Sequence, residues 1–199
     1  HFKALPYTEI HNIIKTLQNL EIQTSTKLSL QFLILTASRQ KEVLNAKWDE
    51  IDFNLNKWIV PASRMKAGKE HEVPLSKQAL KILEGAKLSD GNSPLLFPSS
   101  TTGKPLSDNT LRLVLQKRLQ LDTTTHGLRS SFKDWASETT HFPNEVSEMA
   151  LAHSIPNAVE AAYRRGNLFE KRRQLMNDWA AYLYGQQPEV IRLARGGTT

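Results

Sequence analysis

Four side chains between positions 125 and 163 have the types and order to work on a phosphodiester: His126, Arg129, His153 and Tyr163. His126 and Arg129 are three apart and follow a run of threonines where a helix can begin, so one turn carries both on one face. The first backbone N–H groups of that helix would point the same way, and such an end suits an anion. His153 ends the stretch Leu151-Ala152-His153, and Tyr163 follows among small residues, Ala161 and Ala162. Arginine neutralises nonbridging oxygens with a planar fork, histidine donates hydrogen bonds, and a tyrosine oxygen can attack phosphorus. Taken singly, each residue also has an ordinary use. His126 could cap its helix, Arg129 could pair with Asp134 or Glu138, His153 could be a satisfied core histidine, and Tyr163 could be packing.

Two upstream stretches offer more of the same chemistry. In Thr36-Ala37-Ser38-Arg39-Gln40-Lys41-Glu42, Arg39 and Glu42 have the spacing of a helical ion pair. Either that pair is the whole story, or Arg39 supplies a second guanidinium to the phosphate while Glu42 holds its surroundings. Between two strand-like runs lies a basic hairpin, Ala62 to His71, with Gly68 near its tip and Arg64, Lys66, Lys69 and His71 along it. Such charge is usually a solvated turn, and it could also reach a DNA backbone.

These positions together resemble the tyrosine recombinases, or phage integrases. The residues that carry the resemblance are Arg39-Gln40-Lys41-Glu42, His126-Gly127-Leu128-Arg129, Leu151-Ala152-His153 and Tyr163. The contexts Ser131-Phe132-Lys133-Asp134-Trp135-Ala136 and Val159-Glu160-Ala161-Ala162-Tyr163 are most similar to integrases of prophages and genomic islands. The resemblance covers Leu5 to about Leu183. It implies that Arg39, His126, Arg129 and His153 hold the scissile phosphate, that Tyr163 is the nucleophile forming a 3′-phosphotyrosine, and that a hairpin lysine is the general acid. Lys66 is the best match for that lysine, with Lys69 the competitor, because hairpin register is hard to fix from sequence. Glu42 is expected to support Arg39, and Arg64, Lys69, His71 and Arg112 to contact DNA. Two departures stand out: Ala152 precedes His153 where the family more often has glycine, and the His153-to-Tyr163 interval is one residue longer than the commonest spacing.

The resemblance further implies site-specific integration or excision of a mobile element in a bacterial cytoplasm, on nucleoid DNA. Its partners would be double-stranded attachment sites, other copies of the chain (a tetramer in the synaptic complex), and accessory DNA-bending and directionality proteins. Residues 1–185 would be the catalytic domain and residues 186–199 a tail that protomers can exchange, with the N-terminal DNA-binding domains of the family absent from this chain. Two other readings use the same residues. One is type IB topoisomerase-like relaxation; the other is a noncatalytic DNA-binding module of the same fold.

The elements that must position these residues read as mainly α with a small three-stranded antiparallel sheet, in keeping with the tyrosine recombinase catalytic-domain fold. Thr8 is a candidate N-cap for a first helix with Ile10, Ile13, Ile14 and Leu17 on one stripe. A second helix, roughly Ser25 to Ala37, is apolar on several sides. Short strands follow at Ile51-Asp52-Phe53, Lys57 to Val60 and Glu72 to Leu75. Ser76 should cap a helix from Lys77, a polar loop should run from Lys87 to Ser93, and Leu95-Leu96-Phe97 should be buried and extended. Ser107 looks like the N-cap of a helix through Gln120, stapled by Leu106 and Leu111. The stretch that opens with His126 and Arg129 should run as helix to Leu151-Ala152-His153. An amphipathic helix should end at Gly185, with Tyr182 and Tyr184 structural.

Composition bounds the rest. At 199 residues, with 39% hydrophobic and 23% charged content, the chain supports one substantial core. It holds no cysteine, which excludes disulfides, thiolate metal sites and cysteine nucleophiles. The net charge of +6 favours an acidic partner, nucleic acid first. No apolar run approaches the roughly 18 residues of a membrane span. No acidic cluster suggests a magnesium site and the histidines lack zinc spacing, so neither metal nor cofactor is expected.

Overall fold

A computed structural model describes residues 4–89, 92–153 and 167–185. Its organising element is α2 (Thr24–Thr36), in which every residue from Ser29 to Thr36 is buried. A helix without a polar face belongs in the middle of a fold. Around it pack α1 (Tyr7–Asn19), the short α3 (Gln40–Leu44), α4 (Lys77–Ser89), α5 (Thr110–Leu113), α6 (Thr125–Thr139) and α8 (Phe169–Leu183). α7 (Asn144–Ala150) lies against α6 and α8. The predicted stripe of α1 is the one that is buried: Ile10, Ile13, Ile14 and Leu17.

The expected sheet is present as β1 (Ile51–Asp52), β2 (Lys57–Val60) and β3 (His71–Pro74), antiparallel and in that order. Trp58 stands opposite both Ile51 and Val73, and Val60 opposite His71. Strand alternation therefore buries Trp58, Val60 and Val73 on one face, leaving Lys57 and Ile59 half-buried on the other. Trp58 meets Phe32 of α2, and Phe32 meets Phe97, each at 5.5 Å between ring centroids. Residues 61–70, beyond the Val60–His71 pair, form the basic hairpin. They contain a 3₁₀ turn at Ala62–Arg64 and the positive φ of Gly68, which glycine adopts without steric cost.

On the opposite side of α2, Phe132 and Trp135 of α6 pack with Trp179 and Tyr182 of α8, the last two stacked at 5.8 Å and 16°. The indole N–H of Trp179 donates to the Ile34 carbonyl at 2.9 Å, so a polar edge is satisfied within an apolar cluster. Gly185, at φ 64°, follows α8 as expected of a helix stop.

Several local expectations need correcting. α1 starts at Tyr7 with Pro6 before it, so Thr8 sits inside the first turn and caps nothing. Ser76 does cap α4, accepting from the Ala79 N–H at 3.2 Å, but α4 runs on to Ser89 and absorbs the start of the predicted loop. Ser107 is not the cap of a helix to Gln120: its hydroxyl meets that of Thr110, the N-cap position falls to Asn109, and α5 gives way to a π turn at Val114–Arg118. The predicted staple pair, Leu106 and Leu111, is nonetheless buried. The stretch from His126 to Leu151 is two helices, because Pro143 removes a donor and restarts the chain as α7.

Trp179→Ala should cost about 3–5 kcal/mol, the usual penalty for emptying a large aromatic site, which includes the hydrogen bond to the Ile34 carbonyl. Urea unfolding followed by circular dichroism measures it, and a loss under 1 kcal/mol would mean the cluster is not a support of the fold.

Candidate active site

The site begins with two helix ends. α6 opens with Thr124 as its N-cap, the side chain accepting from the Gly127 N–H at 3.1 Å, which sets His126 and Arg129 on the first turn. α2 ends at Ala37, whose φ of 48° turns the chain into Ser38 and Arg39. Arg39 occupies the N-cap position of α3. Its backbone N–H and its Nη1 both donate to the Glu42 carboxylate, each at 2.9 Å. The predicted Arg39–Glu42 pair therefore exists, with the carboxylate buried and the arginine about a quarter exposed.

Arg129 does not pair with Asp134 or Glu138. Its guanidinium is buried and donates to the carbonyls of Ala37, at the end of α2, and Leu151, at the end of α7, the latter at 2.8 Å. Arg39 Nη2 donates to the next carbonyl, Ala152, at 3.3 Å. Helix C-termini leave carbonyls without intrahelical partners, and these collect the two guanidinium groups. Burial first, then the charge of Arg39, lowers the Arg129 pKa to about 10, which leaves it cationic at neutral pH. Its Nε is buried without a hydrogen-bond partner among the described residues.

α7 ends in a Schellman turn. The His153 N–H bonds the Glu148 carbonyl at 3.0 Å and the Ala152 N–H bonds the Met149 carbonyl at 3.1 Å, with Ala152 at φ 50°. That left-handed residue gives a physical reason why glycine would suit the position better than alanine. The turn lays the His153 ring beside Glu148, whose Oε2 meets Nδ1 at 2.8 Å. His126 and Arg129 line one cavity together with His153, and a second with Arg39. Burial, followed by the charges of Arg129, His153 and Arg39, holds the His126 imidazole below its usual range. Arg39, His126, Arg129 and His153, far apart in the chain, thus share one surface.

The hairpin approaches the same place from the other side. Lys69 and His71 line a cavity with His153, Asn167 and Arg172. Asn167 and His153 are the described residues on either side of 154–166, so this cavity is bounded by both ends of the stretch that carries Tyr163. Tyr163 itself lies outside the described residues, as do the lengthened interval that precedes it and the 186–199 tail. Lys66 is exposed on the hairpin and makes no hydrogen bond or ion pair among the described residues. Arg64 is turned inward, ion-paired with Glu50 and donating to the Glu42 carbonyl. Arg112 lies on the surface, held by Asn109 and Gln116.

Sequence reasoning passed over three residues. Glu148 is one, placed five residues before His153 and invisible to helical spacing. Lys133 is another, ion-paired to Glu148 at 2.7 Å. The third is Arg172, buried on α8 and donating to the carbonyls of Asn167 and Glu72, which ties the chain after Tyr163 to β3. No group of three or more potential metal ligands occurs among the described residues.

The sequence matches the Phage integrase family over residues 3–168. It is 39% identical to the prophage integrase IntA of Escherichia coli K12 over 175 residues, 86% of this chain and 42% of that protein. It is 32% identical to the integrase of Enterobacteria phage P4 over 211 residues, covering 97% of this chain and 48% of that one. The chain therefore spans less than half the length of either relative. Among solved structures, the XerH site-specific recombinase in a pre-cleavage complex with its difH substrate superposes with a TM-score of 0.65 at 18% identity, over 84% of this chain and 51% of that one. That likeness establishes the fold as the one expected.

His71 gives the site a pH signature. Burial, then the charge of Arg172, lowers its pKa to about 4, whereas the unfolded value is near 6.5. The unfolded chain therefore binds more protons between these values, and stability rises with pH there. The contribution is complete above about pH 6.5 and fades as pH falls toward 4, by up to about 3 kcal/mol. Urea midpoints measured across pH 4–7 should flatten in His71→Gln, and an unaltered slope would place the titration elsewhere.

Proposed function

The chain belongs to the phage integrase family, and from that premise we propose that residues 1–185 are the catalytic domain of a site-specific DNA recombinase that integrates or excises a mobile element. The observation that carries this reading is the convergence of Arg39, His126, Arg129 and His153 on one surface, beside a cavity bounded by both ends of the Tyr163 stretch. Around a DNA phosphate these four groups offset the charge that grows on the nonbridging oxygens during attack. Tyr163 attacks phosphorus through its phenolic oxygen, forming the 3′-phosphotyrosine bond as the bond to the 5′-oxygen breaks. A free phenol has a pKa of about 10, so the neighbouring cations must favour its ionisation. Lys66, exposed on the hairpin, protonates the departing 5′-oxygen. Religation is the reverse, with the 5′-hydroxyl as nucleophile, and the covalent link keeps the energy of the original phosphodiester.

The partner in this reading is a double-stranded attachment site, contacted through Lys69, Arg112 and the rest of the net charge of +6. Copies of the chain assemble on it, as a tetramer at synapsis, in the bacterial cytoplasm. Residues 186–199 are the segment through which protomers couple, and accessory proteins bend the DNA and set direction.

Two measurements test the chemistry. A nicked duplex that traps covalent intermediates should give a shifted band on denaturing gels with the unaltered chain and none with Tyr163→Phe. DNA affinity should hardly change, since only a hydroxyl is lost; an adduct that survives this change but not Tyr182→Phe moves the nucleophile. Lys66→Ala should lose roughly 10²–10⁴ in cleavage rate on ordinary DNA. It should recover when the bridging 5′-oxygen is sulphur, because a thiol of pKa about 8.5 leaves without a proton. Rescue of Lys69→Ala instead would assign the acid to Lys69.

A further inference from the structure

His153 is held by its edge. Nδ1 meets Glu148 Oε2 at 2.8 Å, while Glu148 Oε1 takes an ion pair from Lys133 at 2.7 Å. Lys133 is itself fixed by the Ser147 hydroxyl at 2.7 Å and by the Asn144 side chain. The backbone repeats the link, since the His153 N–H bonds the Glu148 carbonyl across the Schellman turn. An ionised carboxylate only accepts hydrogen bonds, so Nδ1 must carry a proton. Burial opposes ionisation of Glu148, but the bonds from Lys133 and His153 outweigh it and hold the carboxyl below its ordinary range. Nε2 is then the remaining nitrogen, on the other edge of the ring. His153 lines the cavity it shares with His126 and Arg129.

From this geometry we infer that Glu148 is a positioning residue for the recombination reaction: it fixes the orientation and the protonated nitrogen of His153, so that Nε2 is the atom presented to the scissile phosphate. The inference rests on the function proposed above for its consequence, though not for its geometry. With Nδ1 already bonded, Nε2 can donate to a phosphate oxygen only when the ring is doubly protonated. Glu148 supplies the negative charge that accompanies that form amid Arg39, Arg129, His126 and Lys133. A histidine lacking this partner is free to rotate about its side-chain bonds and to present either nitrogen. Carboxylates that orient a metal-bound histidine commonly matter by about 10–100-fold, and an effect of that order is expected here. Lys133 extends the same device one step, by holding the carboxylate that holds the ring.

The test has an arm that needs no reaction. Long-range ¹H–¹⁵N spectra of the imidazoles, with the His153 signals assigned by their loss in His153→Gln, report which nitrogen is protonated in the neutral ring. The unaltered chain should show protonated Nδ1 and bare Nε2, and Glu148→Ala should move the proton to Nε2 in a substantial fraction of molecules. A His153 already protonated at Nε2, or a tautomer indifferent to Glu148→Ala, overturns the inference. The second arm measures covalent adduct formation. Glu148→Ala should slow it about 10–100-fold, Glu148→Gln should recover only part of that, because its amide oxygen still accepts from Nδ1 but carries no charge, and Glu148→Ala should add nothing once His153 is alanine. An equal loss with and without His153 would mean Glu148 supports only the fold. If the unaltered chain forms no adduct, the proposed function fails, and the spectra alone decide the role of Glu148.

Discussion

A guanidinium group buried between two helix ends is the interaction on which the rest of this structure depends. Arg129 bridges the carbonyls of Ala37 and Leu151, so α2, α6 and α7 are joined at one charged point. Burying a cation is costly unless acceptors surround it, and the carbonyls at two helix C-termini are acceptors that the helices cannot satisfy themselves. The same arrangement sets the neighbouring chain. Ala37 takes a left-handed conformation that turns α2 into Arg39, and Arg39 reaches the carbonyl next to the one used by Arg129. Removing Arg129 would take this donor from the Ala37 and Leu151 carbonyls at once, at two helix ends.

Charge near this point is arranged by depth. Glu42 is buried beneath Arg39 and accepts from its backbone and its side chain, while the Arg64 guanidinium closes over the Glu42 carbonyl. Glu148 stands at the rim, shared by Lys133 and His153. Glu42 thus offsets part of the charge of Arg39 from beneath, while Glu148 is taken up by Lys133 and His153 at the rim. Burial first, and then the crowding of cations, lowers the pKa values of Arg129 and His126. An anion relieves that repulsion. Such a surface suits an anion, in keeping with the phosphate proposed for it.

The Tyr163 stretch is framed from both sides by the same type of contact. Before it, Arg39 and Arg129 hold the carbonyls of Ala152 and Leu151; after it, Arg172 holds those of Asn167 and Glu72. Glu72 also takes an ion pair from Lys57 across the β2–β3 ladder, and Asn167 donates to its other oxygen. The sheet, the basic hairpin and the start of α8 consequently meet at one anchor. Backbone carbonyls make rigid reference points because they belong to elements that cannot move without losing their own core contacts.

Much of this was legible in the residues alone. Helical spacing placed His126 with Arg129 and Arg39 with Glu42, and apolar stripes identified the buried faces of α1 and α2. Alternation and turn residues found the three strands and the hairpin. Those features are local, since they follow from 3.6- and 2-residue periods and from residues that start or stop an element. Chain ends of elements were less readable: Thr8 and Ser107 have the right side chains for caps, yet Pro6 and Asn109 occupy those positions. Only the tertiary structure decided that Arg129 is buried against Ala37 and Leu151, that Arg64 faces Glu50, and that Glu148 grips His153. Each of these depends on which carbonyl or carboxylate packing brings within about 3 Å of a cation, and on how far water is excluded there. A sequence period fixes the face from which a side chain leaves its helix; the acceptor waiting for it belongs to another part of the chain.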